Sequence, residues 1–194
     1  MNLSVIKHII LCHREYFPWV RKKFAFFGTK STIHHPAIIS EHKDISIGNN
    51  TIILSNSRLS VYNYLTGGQS KIKIGDDCYI GFRFSVLAGG NVTIGNYVLI
   101  ASDVLITSEN HGTDPESETP YMDQPLICKD VTIGNGCWIG EKVSILPGVS
   151  IGEKCIIATN SVVTKSIPAF SIAAGIPARV IKQYNFEKHC WEKI

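Results

Sequence analysis

The sequence predicts an all-β solenoid, a parallel β-helix of about five triangular coils with one long protruding loop. Two observations carry this prediction: aliphatic residues recur at every sixth position, and the positions four residues later are small or β-branched. A third is the chain length of 194 residues, which suits one core with small terminal additions. A period of six fits neither a helix nor a simple alternating strand. It fits a short strand and a corner, repeated three times per coil.

The longest uninterrupted run of this repeat lies in the C-terminal half. Its aliphatic positions are Ile133, Ile139, Ile145, Ile151, Ile157 and Val163, and its small positions are Cys137, Val143, Val149, Cys155 and Ser161. Three shorter runs begin at Ile47, Ile74 and Ile94, and a partial coil around Ile33 and Ile39 precedes them. We expect both sets of side chains to point into the prism. The Gly and Asn residues that often follow the aliphatic positions are expected to supply the backbone conformations of the corners.

The composition favours a cytoplasmic protein. The net charge is +3 without a long basic run, which disfavours a nucleic-acid surface. None of the six cysteines forms a CxxC pair or has zinc-ligand spacing, so we expect no metal and a reducing compartment. Cys78, Cys137 and Cys155 fall on the small inward positions and are interpreted as core residues. The remaining cysteines, Cys12, Cys128 and Cys190, fall outside the repeat.

Two terminal segments flank the predicted β-helix of residues 31–182. Residues 1–30 form an amphipathic or capping segment whose apolar part, Ile9 to Leu11, is too short to span a membrane. A helix that caps the fold or packs on a partner subunit is the first interpretation. Weak association of residues 1–27 with the surface of the inner membrane is the alternative. For residues 183–194, a short helix is the expectation.

Three insertions interrupt the repeat, after Leu59, Val86 and Ile106. The longest gives an extended loop over residues 107–132, rich in Asp, Glu, Ser, Thr and Pro. Insertions in a solenoid leave from one corner and gather on one face, which is often the binding face. A loop of this length in a compact domain is usually functional or disordered, and this one contains His111.

The motifs "NHGTDP" (110–115), "IGNGCWIGEKVSILPGVSIG" (133–152), "VVTKSIP" (162–168) and "AAGIPARVIK" (173–182) resemble the sugar O-acetyltransferase branch of the hexapeptide-repeat acyltransferases. The resemblance extends over roughly residues 33–182. It implies a left-handed coil, which departs from the usual right-handed crossover. It also implies acetyl-CoA as co-substrate. It further implies a homotrimer with active sites in the clefts between the β-helices of neighbouring subunits.

The resemblance assigns the role of catalytic base to His111. The chemistry agrees, because transfer of an acetyl group to a hydroxyl needs a base that accepts a proton near neutral pH, and imidazole does so. Asp114 and Glu118 are near enough in sequence to orient the imidazole, and a backbone carbonyl is equally suitable.

The resemblance also implies a coenzyme A site formed by Ser144, Ala158, Lys165 and Arg179. The small Ala158 lets backbone groups meet the pantetheine amides, and the two cations suit the phosphates. Trp138 is a candidate to line the donor channel, and its indole N–H could serve the oxyanion of the tetrahedral intermediate.

The leading functional prediction is therefore an acetyl-CoA-dependent O-acetyltransferase acting on a sugar or polysaccharide unit. Three alternatives remain open: an N-acyltransferase on a nucleotide-linked amino sugar, a non-catalytic β-helix scaffold, and a zinc-dependent carbonic anhydrase of the same fold. The last needs three His ligands from neighbouring coils, whereas His111 alone lies in the middle of this chain.

Overall fold

The computed structural model describes residues 18–194 as a left-handed parallel β-helix with three faces. Face 1 contains β1 (Phe26–Phe27), β4 (Ile45–Ile47), β7 (Ile72–Ile74), β10 (Val92–Ile94), β15 (Val131–Ile133) and β18 (Ser150–Ile151). Face 2 contains β2 (Thr32–Ile33), β5 (Ile52–Ile53), β8 (Tyr79–Ile80), β11 (Leu99–Ile100), β16 (Trp138–Ile139), β19 (Ile156–Ile157) and β21 (Ser171–Gly175). Face 3 contains β3 (Ala37–Ile39), β6 (Ser57–Val61), β9 (Ser85–Ala88), β12 (Leu105–Thr107), β17 (Ser144–Ile145) and β20 (Val162–Val163).

The core confirms the predicted six-residue register. Each of the six aliphatic positions from Ile133 to Val163 is at most 2% exposed, and each of the small positions from Cys137 to Ser161 is at most 1% exposed. The inward cysteines are buried as predicted, and burial raises the pKa of the Cys78 thiol above its ordinary value. These thiols therefore act as small apolar filler in a prism of aliphatic side chains.

The corners differ from the expectation in one respect. The residue with a left-handed φ stands three positions after the inward aliphatic residue and is usually not Gly, as at Asp77 (φ 54°) and Arg83 (φ 55°). The glycines directly after the aliphatic residues have another role, because a Cβ atom on Gly75 would lie 2.6 Å from the carbonyl carbon of Gly95 in the next coil. Close stacking of successive backbones, rather than a positive φ, therefore requires Gly at that position.

The solenoid extends further towards the N terminus than the repeat indicated. It has six full coils rather than five, because β1 already pairs in parallel with β4. Phe24, which is 7% exposed, packs in the core there without an aliphatic repeat to mark it. A 3-10 turn at Pro18–Lys23 precedes this first coil. The predicted amphipathic helix and membrane-surface segment otherwise fall largely on residues 1–17, which lie outside the described part of the chain.

The C-terminal segment forms strands, whereas a short helix was expected. β22 (Ala178–Asn185) turns back antiparallel to β21 and then pairs with β23 (Cys190–Lys193). Side-chain burial alternates along β22, which is the pattern of a half-buried strand. Tyr184 also packs edge-to-face on Phe186 and Trp191, so aromatic contacts hold the hairpin together.

All three insertions leave the coil at the corner between faces 3 and 1. They follow β6, β9 and β12, which are neighbours in one sheet. The first insertion contains the short helix α1 (Asn63–Thr66), and the last forms an arm whose base is a two-stranded antiparallel ladder of β13 (Glu109–Asn110) and β14 (Ile127–Cys128). A 3-10 turn at Tyr121–Asp123 lies near the end of the arm. The predicted gathering of insertions at one corner is confirmed.

Candidate functional site

The base of the arm is anchored to the insertion below it. The buried hydroxyl of Ser108 accepts a hydrogen bond from the N–H of Gly90 (3.0 Å) and donates to its carbonyl oxygen (2.8 Å). A Cβ atom on Gly89 would lie 2.6 Å from the Cβ of Glu109 and 2.8 Å from the Sγ of Cys128. The two arm strands therefore rest directly on the backbone of the preceding coil, which fixes where the arm begins.

His111 is the first residue beyond this ladder, and its side chain is exposed. It lines an open cleft of about 510 Å³ together with Asn110, Gly112, Thr113 and Tyr121. Asn110, Thr113 and Tyr121 bring hydrogen-bonding side chains next to the imidazole, so the cleft offers partners to a polar acceptor beside His111. His111 thus has the exposure that a general base acting on a bound substrate needs.

Asp114 and Glu118 lie around a different cavity. It measures about 260 Å³, and Tyr121 lines both this cavity and the His111 cleft. The carboxylate of Asp114 accepts a hydrogen bond from the N–H of Glu116 at 2.9 Å. That contact is an Asx turn that shapes the arm. A role for either carboxylate in orienting the imidazole remains a prediction.

Gln124 was missed by sequence reasoning. Its side chain is 7% exposed, accepts a hydrogen bond from the N–H of Asp114 (3.1 Å) and donates to the carbonyl oxygens of Asp114 and Thr119 (both 3.0 Å). A Cβ atom on Gly112 would lie 2.7 Å from both Cβ and Oε1 of Gln124. A polar residue in a polar loop gives no sequence signal of burial, so this contact appears only in the structure.

The four predicted coenzyme A residues surround face 3 in the last coils. Ser144 is on β17, half-buried, and pairs in register with Leu105 and Val162. Ala158 lies at the corner between faces 2 and 3, where its N–H donates to the carbonyl oxygen of Ala173 at 2.9 Å. Both residues therefore lie along one side of the prism, Ser144 on the face and Ala158 at its edge.

Lys165 and Arg179 lie at opposite edges of that face. Val163 occupies the same register position on face 3 as Ile106, through Ile145 between them. Lys165, two residues after Val163, therefore stands at the same corner as Ser108, where the arm leaves the coil. Arg179 pairs with Ala174 on the other edge, and its Nη1 donates to the carbonyl oxygen of Ala178 at 2.9 Å. Both side chains are exposed, and neither forms a recorded salt bridge within residues 18–194.

Trp138 is on a different face from Ser144. It is 51% exposed on face 2, where its register partners are Leu99 and Ile156. Leu99 in turn pairs with Tyr79, and these two side chains are 44% and 45% exposed. Trp138 is thus part of an apolar row across face 2 and does not line the surface of face 3 within one chain.

The described part of the chain contains neither a group of three His, Cys, Asp or Glu side chains arranged to hold a metal ion nor a helix long and apolar enough to cross a membrane.

Comparison with known proteins adds the following matches. Residues 130–165 match the bacterial transferase hexapeptide model, and residues 71–108 match the hexapeptide repeat of succinyl-transferase. The Escherichia coli protein WbbJ, which carries the name of a lipopolysaccharide biosynthesis O-acetyl transferase, is 35% identical over 176 residues, covering 87% of this chain and 86% of WbbJ. The galactoside O-acetyltransferase of Escherichia coli is 39% identical over 125 residues, covering 64% of this chain and 60% of that enzyme.

Among solved structures, the hexapeptide-repeat acetyltransferase of Vibrio cholerae complexed with acetyl coenzyme A superimposes with a TM-score of 0.59 at 25% identity. The match covers 95% of this chain and 80% of that one.

Proposed function

Because the chain belongs to the bacterial hexapeptide-repeat transferase family, we propose that it is an acetyl-CoA-dependent O-acetyltransferase whose acceptor is a hydroxyl of a sugar or polysaccharide unit. The names of WbbJ and of the galactoside O-acetyltransferase support a carbohydrate acceptor. The observation that carries the proposal is the position of His111, which lies exposed in a surface cleft at the start of an arm held by the β13–β14 ladder.

In the proposed reaction, His111 accepts the proton of the acceptor hydroxyl as the oxygen attacks the carbonyl carbon of the thioester. The resulting tetrahedral intermediate collapses with cleavage of the carbon–sulfur bond, and coenzyme A leaves as the thiol after taking up the proton. Both substrates are bound at the same time and the acetyl group passes directly to the hydroxyl, so no side-chain nucleophile is needed. Asp114, Glu118 or a backbone carbonyl orients the imidazole in this scheme.

The donor is proposed to lie along face 3, with the pantetheine passing Ser144 and Ala158. Lys165 and Arg179 would then attract the phosphates from the two edges of the face. Their exposure and lack of recorded salt bridges in the described chain support this assignment, because a cation without a carboxylate partner is available to a phosphate.

We also propose that the active form is a homotrimer. Face 2 exposes the apolar row of Tyr79, Leu99 and Trp138, which a neighbouring subunit would cover. A second subunit would turn the open surface of face 3 into a cleft, and Trp138 of one subunit would then line the donor channel of the next. The arm of one subunit would serve the groove of its neighbour, giving three equivalent sites.

The proposed location is the cytoplasm, with weak contact of residues 1–27 with the inner membrane surface. Five Lys and Arg residues among the first 23 positions, interspersed with apolar residues, support this placement. Co-sedimentation with vesicles of anionic lipid, compared for the full chain and a chain lacking residues 1–17, tests it. Equal binding of both forms would exclude residues 1–17 as the anchor.

A thiol-release assay with acetyl-CoA tests the proposed activity. The acceptor panel contains free sugars, exopolysaccharide fragments and a nucleotide-linked amino sugar. Release stimulated by a hydroxyl acceptor, with an alkali-labile ester as product, is the expected result. Stimulation by the amino sugar alone, with an alkali-stable amide as product, would replace the proposal with N-acylation. Acetyl-CoA binding without transfer to any member of the panel would favour the scaffold alternative.

A further inference from the structure

We propose that Gln124 is a positioning residue whose buried carboxamide holds the arm in the shape that presents His111 to its substrates. The inference rests on the proposed function, because Gln124 would act through the proposed base. No part of Gln124 needs to touch either substrate.

The first support is that both polar atoms of the Gln124 carboxamide are hydrogen-bonded. Its oxygen accepts from the N–H of Asp114, and its nitrogen donates to the carbonyl oxygens of Asp114 and Thr119. A primary amide has two N–H groups, so both donors are used. These bonds join residues five and ten positions apart in the chain, so a single side chain closes the tip of the arm on itself. A buried amide whose two N–H groups and oxygen all have partners rigidifies the segment around it.

The second support is the contact with the peptide next to His111. Gly112 packs so closely on Gln124 that an added Cβ would lie 2.7 Å from its Cβ and Oε1, and 3.3 Å from the carbonyl oxygen of Pro125. On the other side of His111, Asn110 pairs with Ile127 in the ladder at the base of the arm. The backbone of His111 is therefore held between two fixed points, the ladder before it and Gln124 after it.

The third support is the separation of this contact from the core and from the donor residues. Gln124 bonds only within the arm, whereas Ser144 and Ala158 are on the coil itself. Replacing Gln124 should therefore leave folding and acetyl-CoA binding intact while it misplaces the imidazole. A misplacement of about 1 Å can lower a rate on the order of 100-fold.

Gln124→Met tests the proposal, because Met keeps the size of the side chain and removes all three hydrogen bonds. Gln69→Met is the matched control, since Gln69 is exposed and lines neither the His111 cleft nor the cavity around Asp114. For Gln124→Met, we expect kcat to fall on the order of 10- to 100-fold, with the KM for acetyl-CoA and the thermal midpoint close to the wild-type values. The control should behave as wild type. Faster hydrogen exchange of the amides of residues 112–124 should accompany the loss in Gln124→Met.

A double-mutant cycle separates positioning from a merely structural role. If Gln124 acts through His111, then adding Gln124→Met to His111→Ala should cost no further activity. A further loss of tenfold or more in the double variant would overturn the proposal. So would a Gln124→Met enzyme whose folding stability and acetyl-CoA binding fall as much as its kcat.

The same cycle distinguishes failure of this inference from failure of the proposed function. Retention of activity by His111→Ala would refute the role of the base and would remove the basis of the positioning role. A large loss in His111→Ala together with wild-type kcat in Gln124→Met would refute the positioning role alone.

Discussion

At the scale of single residues, Lys165 and Arg179 carry exposed charges at the two edges of face 3. Reversal of both charges to Glu should raise the KM for acetyl-CoA on the order of tenfold or more, because each exposed charge contact is worth about 0.2–1 kcal/mol and reversal adds repulsion to the loss. The effect on kcat should be smaller, since these contacts are equal in the ground and transition states. Initial rates over a range of acetyl-CoA concentrations measure both constants.

The matched control reverses Lys71 and Lys73, which are exposed near face 1 and change the net charge by the same amount. It should leave the KM for acetyl-CoA near the wild-type value. An unchanged KM in the Lys165 and Arg179 variant, or an equal rise in both variants, would place the nucleotide end of coenzyme A elsewhere.

The sequence predicted only some of the polar arm residues that form the candidate site. The family resemblance and the need for a base near neutral pH pointed to His111, and the structure places it in a cleft. Proximity in sequence suggested Asp114 and Glu118, yet the recorded contact of the Asp114 carboxylate is with the N–H of Glu116. Gln124 had no sequence signal, because its burial depends on how the arm folds back on itself.

At the scale of the elements, the coil depends on an interior lined mainly by aliphatic side chains. The side chain of Ile145 is fully buried, and its register neighbours Ile106 and Val163 are aliphatic. Ile145→Asp should prevent folding, because a buried carboxylate without a partner costs several kcal/mol. Ile145→Val, the matched control, should cost only about 0.5–1.5 kcal/mol. Urea denaturation followed by circular dichroism measures both, and a midpoint for Ile145→Asp close to that of Ile145→Val would refute the register.

The six-residue period was sufficient to predict the strands and the inward positions, because each coil repeats the same local packing problem. The first coil and the C-terminal hairpin follow other rules. In the first coil Phe27 pairs with the inward Ile47 and packs on the buried Phe24, and aromatic contacts of Tyr184 hold β22 and β23 together. The role of the corner glycines was also hidden in the sequence, since the close approach of Gly75 to Gly95 involves two different coils.

At the scale of the whole molecule, the proposed trimer makes a prediction about mixed subunits. His111→Ala leaves the groove intact, and the double charge reversal at Lys165 and Arg179 leaves the arm intact. If the arm of one subunit serves the groove of the next, co-refolding the two impaired variants in equal amounts should restore about a quarter of the sites. Measurement at acetyl-CoA concentrations well below the wild-type KM keeps the background of the charge-reversed grooves low. Activity no higher than the average of the two separate variants would show that each site lies within one subunit.

The most direct test of the central claim is the pH dependence of kcat/KM for wild type and His111→Ala. Protonation of the imidazole removes the lone pair that accepts the proton, so wild-type kcat/KM should fall as the pH is lowered. His111→Ala should fold, bind acetyl-CoA as wild type does, lose a factor on the order of 10²–10⁴ in rate, and no longer show that fall. A His111→Ala enzyme that keeps more than about a third of wild-type activity, with the same fall on the acid side, would contradict the role of His111 as the general base.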